Sequence, residues 1–161
     1  HVRERAKPFR LVASETEILR WAEHLHGHAG WLTAVALVHP AVVLRKLERR
    51  APWAVGLSTG LVTAVCTAGA LLYQPYRAKL KQGIFQAAPS IGLLFERKEH
   101  LAFAALAFAW VGAAAYVGAR YTSDATRPTF RRLAHRAYVV AAAIALVVAS
   151  LGTAVATFRT F

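Results

Sequence analysis

Six histidines carry the chemistry that this sequence offers. His24, His26 and His28 crowd the start of the stretch HLHGHAGWLTAVALVHPAVVLRK, His39 lies beside Pro40 near its end, and His100 and His135 stand alone farther along. An imidazole can ligate iron, zinc or copper through either nitrogen, or carry a proton. In an apolar stretch it is costly unless something binds it, and His39 is separated from the charged end at Arg45 by five residues. Nucleophilic or paired-carboxylate catalysis finds no support: there is no Gly-rich phosphate loop and no acid inside any apolar run, and Cys66 has no base near it in sequence. Without a CxxCH stretch, covalent haem attachment is excluded as well.

These histidines sit on or beside four uncharged runs, residues 27–44, 53–73, 101–119 and 137–158. At about 1.5 Å rise per residue, each approaches the roughly 30 Å of a hydrocarbon core. Hydrophobic residues make up 57% of the 161-residue chain, above the usual share in a soluble domain. The expected fold is therefore all-α: one integral-membrane domain, an antiparallel four-helix bundle with four spans. Residues 1–23 are expected to form an extramembrane basic arm and an amphipathic lead-in helix, opened by the capping-box spacing Ser14-x-x-Glu17. The uncharged run 82–95 is too short to span. Ile84, Ala88, Ile91 and Phe95 recur at helical spacing, so it reads as an interfacial helix interrupted or started by Pro89.

Within that frame the histidines fall into levels. His28 and His39 are eleven residues apart, about three turns plus 20°, so they share a helix face with roughly 16 Å between them along the axis. In an antiparallel bundle His28 and His100 lie at one depth, and His39 and His135 at the other. Axial ligation of two b-type haems needs such couples: two imidazoles from different helices at equal depth, one on each face of the porphyrin. His24 or His26 could replace His28. Room for a cofactor would come from small residues, Gly56, Thr59, Gly60, Thr63, Thr67 and Ala70 on the second span and Ala142, Ala145, Ala149 and Gly152 on the fourth. Arg97 beside His100 and Arg132 beside His135 are the expected propionate partners, although lipid head-group anchoring is the better account of each taken singly.

On His28, His39, His100 and His135 the chain resembles the small four-helix membrane cytochromes b, such as the haem-bearing anchor subunits of succinate and formate dehydrogenases and the cytochromes b561. The resemblance covers residues 24–158 and is architectural, without a shared motif. It implies transmembrane electron transfer within a larger respiratory or photosynthetic complex, with exchange to quinone or a cytochrome c-type partner.

Two other readings compete. A cofactor-free structural or assembly subunit would use the histidines as interface anchors. A metal-binding membrane protein would use His24, His28 and His100, with Glu23, Glu96 and Glu99 nearby. The net charge of +12 brackets apolar spans instead of forming one polar face, which favours anionic lipid over nucleic acid as partner. Alanine-rich spans and arginine in preference to lysine suggest a high-GC bacterium, hence its cytoplasmic membrane. Arg45, Lys46, Arg49 and Arg50 with Arg120, Arg127, Arg131 and Arg132 place the first and third connections inside and both termini on the periplasmic side. No apolar run follows the basic start as a secretory signal would require, and with His1 first and no methionine, the start of the gene product is expected to lie upstream.

Overall fold

A computed structural model describes residues 15–79 and 81–157, so the basic arm and Ser14 of the capping box lie outside the described residues. The chain is all-helical there: α1 (Glu15–Val43), α2 (Pro52–Lys79), α3 (Lys81–Ala87), α4 (Pro89–Gly118) and α5 (Arg127–Thr157). Among the described residues three helices, α2, α4 and α5, are long and apolar enough to cross a membrane. The fourth expected span, on α1, does not reach that standard. His26, His28, His39 and Pro40 dilute its apolar character.

The long helices pack around one another, α1 against α2 and α5, and α4 against α5 and α2. Alanines fill much of the shared core, among them Ala34, Ala105, Ala109, Ala134 and Ala141, and let the backbones come close. At its centre lies Tyr138, with no exposed surface, whose hydroxyl meets Thr59 Oγ1 at 2.6 Å. Gly112 makes this possible: a Cβ there would stand 2.8 Å from the Tyr138 ring.

Pro40 lies inside α1 and has no N–H to give the carbonyl of Ala36. The orphaned oxygen finds its donor on another helix, because the buried Ser58 hydroxyl of α2 donates to Ala36 O at 2.8 Å. Other hydroxyls of α2 turn to its own backbone, Thr63 to Thr59 O and Thr67 to Thr63 O. The buried side of α2 is Ala54, Val55, Ser58, Thr59 and Val62. That corrects the expected small-residue stripe: Gly56, Gly60, Thr67 and Ala70 are exposed, whereas Ala142 and Ala145 of α5 are buried as anticipated.

The interfacial segment breaks at Pro89 as expected but is not a separate helix as far as Phe95. The helix stops after seven residues at Ala87, and Pro89, in the first turn of α4, begins a continuous helix that runs through the third apolar run. Phe85 of α3 folds back onto Gly92, where a Cβ would stand 2.6 Å from the ring, and Lys81 pairs with Glu96 at 2.6 Å. Beneath α3, Tyr76 stacks on Phe95 with ring centroids 4.1 Å apart, beside Val155. At the other end, Ala51 N–H donates to the Tyr116 hydroxyl at 2.9 Å, and Arg131 donates to the Leu47 carbonyl, pinning the α1–α2 connection to α4 and α5.

Candidate functional site

The face of α1 that meets the bundle is set by Ala34, Leu37, Ala41 and Leu44, all buried. Two residues on from Leu37 is a rotation of about 200°, so His39 points away from the core, and His28, in phase with His39, does the same. Both are exposed, as is His24. Leu32, Val35 and Val42 share this outer face at 60%, 62% and 63% exposure. It is an apolar stripe interrupted by imidazoles at two depths.

His100 is exposed on α4, with Nδ1 bonded to the Glu96 carbonyl one turn earlier at 2.8 Å. Since a carbonyl only accepts, Nδ1 donates in this bond. His135 is half-buried on α5; its Nδ1 is shielded from solvent and has no hydrogen-bond partner among the described residues. Of the couples expected across the core, His28 with His100 and His39 with His135, only His135 is half-buried, and the other three rings are exposed. Eleven-residue spacing makes two rings coincide in angle without deciding whether they look inward, and here the inward direction belongs to Leu37 and its neighbours. Between α2, α4 and α5 the interior is occupied by Tyr138 against Gly112 and Thr59. Arg97 and Arg132, the expected propionate partners, are exposed, and Arg132 reaches Thr129 Oγ1 at 3.4 Å. Among the described residues no three histidine, cysteine, aspartate or glutamate side chains come together to hold a metal, so His24, His28 and His100 do not form the expected three-ligand site.

His26 takes the inward position that sequence reasoning assigned to its neighbours. Its ring rests on α2 at Gly69, where a Cβ would stand 3.0 Å from Cε1 and 3.4 Å from Nε2. Nδ1 is shielded and has no hydrogen-bond partner. Burial first, then the nearby Lys98 ammonium of α4, pushes this imidazole below its ordinary pKa, against a smaller opposing pull from Glu23. It is thus a neutral ring wedged between helices just outside the uncharged run of α1. Glu99 of α4, also outside the apolar run, is raised above its ordinary value, chiefly by burial. The sequence held a signal for His26: Gly69 is the small residue that gives the ring its seat, but only the packing shows which helix faces it.

The chain matches no family model, no curated protein and no solved structure.

Proposed function

We propose that this protein is a subunit of a larger assembly in the bacterial cytoplasmic membrane, crossing the bilayer four times as an antiparallel bundle with both termini on one side, and that α1 is the helix by which it docks on a neighbouring subunit. The observation that carries this reading is the outward position of His39 on an exposed apolar stripe. A polar ring facing acyl chains is unfavourable, and a partner helix supplies what lipid cannot. The weaker apolar character of α1 compared with α2, α4 and α5 agrees with a helix designed to meet protein on both sides. Lipid contacts then fall to the other three.

A second reading is favoured by a specific feature, the presence of His28 and His39 on one exposed face about 16 Å apart along the axis. Haem b held at that junction would take one axial imidazole from α1 and the other from the neighbour, at each of two depths. Electron transfer, with exchange to quinone or a cytochrome c-type partner, would then belong to the assembly.

Crosslinking through Val35→Cys in a Cys66→Ser background tests the first reading. A crosslinked species retained in native membranes, and absent when the cysteine replaces buried Leu37, supports docking through this face. Labelling of residue 35 by a lipid-soluble maleimide with no crosslink rejects it. A reduced absorption spectrum of the assembly in mild detergent tests the second: a b-type α band that His39→Leu removes supports it, and its absence leaves docking alone.

A further inference from the structure

His24 and His28 are four residues apart on one continuous helix, and both are exposed. At that spacing two side chains stand one above the other with Cβ atoms about 5–6 Å apart. His26, between them, is turned inward onto Gly69 and takes no part. We infer that His24 and His28 form a two-imidazole chelate for a borderline divalent ion, Cu²⁺ in preference to Zn²⁺, in the N-terminal half of α1.

The geometry suits the chemistry. Metal–nitrogen bonds of about 2.0–2.1 Å require two donor atoms roughly 3 Å apart, and two imidazoles one helical turn apart close that distance by rotating about their side-chain bonds. No backbone adjustment is needed. Imidazole is a preferred ligand for copper and zinc, and the ordinary affinity order places copper above zinc. The second imidazole binds at high effective concentration once the first is attached, which is what separates this pair from the isolated His39.

The surroundings set what the site can do. His24 also lines an open groove of about 290 Å³ with Glu17, Arg20 and Trp21. The Glu17 carboxylate and the Arg20 guanidinium there carry opposite charges, so the ion is held mainly by its ligand bonds. With two protein ligands, water or a partner's side chain completes the coordination, and the ion stays exchangeable. The site shares His28 with the proposed haem junction and adds His24, so that ring serves one metal or the other, and His39 separates the two by belonging to the junction alone.

The test is Cu²⁺ titration of the untagged full chain in detergent micelles, followed by electron paramagnetic resonance and calorimetry. One ion per chain with imidazole nitrogen coupling is expected. His24→Gln and His28→Gln should each weaken binding at least about tenfold, while His39→Gln changes it less than twofold. Helix content by circular dichroism must be unchanged in all three, which is expected because each ring is exposed. Retained affinity in either chelate variant, or an equal loss in His39→Gln, overturns the site. A spectrum without haem leaves the chelate standing, and loss of Cu²⁺ binding leaves the haem reading standing, so the two fail separately.

Discussion

Removing the Ser58 hydroxyl isolates what Pro40 costs the bundle. Ser58 is 2% exposed and its hydroxyl donates to Ala36 O at 2.8 Å, the oxygen that Pro40 deprives of a backbone donor. In Ser58→Ala that carbonyl is left without a donor in a region that water does not reach, while the volume lost is one oxygen. The desolvation cost of an unsatisfied buried group therefore outweighs the cavity cost, and a loss of about 1–2 kcal/mol is expected. Pro40→Ala restores an N–H four residues after Ala36, so in that background the carbonyl has its own donor and Ser58→Ala should cost close to nothing. Pro40 is itself fully buried, and its replacement opens a small cavity whose cost cancels from the cycle. Four proteins, wild type, two single variants and the double variant, unfolded by denaturant in micelles, give the coupling. A coupling of about 1 kcal/mol supports the account; one within about 0.3–0.5 kcal/mol of zero, the usual additivity error, refutes it.

Three further outcomes follow from the packing. Gly112→Ala should destabilise by about 1–2 kcal/mol, because overpacking against immobile Tyr138 exceeds the helix-propensity gain, whereas Gly60→Ala, with nothing within 4 Å of the new Cβ, should be neutral or stabilising; equal effects in thermal melts would contradict the close approach. Gly92→Leu should displace Phe85 and detach α3, read as faster amide exchange in residues 81–87 with the rest unchanged. His26, neutral in its seat, binds fewer protons folded than unfolded, so its contribution is fully present above the ordinary value of 6.5 and is lost as pH falls below it. Wild type should therefore lose more melting temperature than His26→Leu between pH 7.5 and 5, and parallel curves would dismiss the wedge.

Helix positions were legible because charge avoids the hydrocarbon layer: the uncharged runs 53–73, 101–119 and 137–158 lie in α2, α4 and α5, almost to their ends. Helix faces were much less so. In a membrane helix both the core side and the lipid side are apolar, so periodicity loses the contrast that marks the inward face of a soluble helix. Gly56 and Gly60 looked like a packing stripe and are exposed, while Val55 and Val62, bulkier and less conspicuous, face the core. Tyr138 lies near a span end, where a tyrosine is ordinarily an interfacial ring, so its type and position do not mark it as core. Its burial became visible only once Gly112 and Thr59 stood opposite it.

The same ambiguity governs the histidines, and it resolves in a definite direction. Small residues opposite a side chain show where that side chain goes: Gly69 receives His26, as Gly112 receives Tyr138 and Gly92 receives Phe85. Among the described residues no glycine receives His28 or His39; their neighbours on the helix face are Leu32, Val35 and Val42, all open. A helix that seats one half-buried imidazole against a neighbouring helix and leaves its other three exposed distinguishes internal from external partners residue by residue. On this argument, substitution of His26 should act on the stability of the single chain, and substitution of His39 on what the chain assembles with.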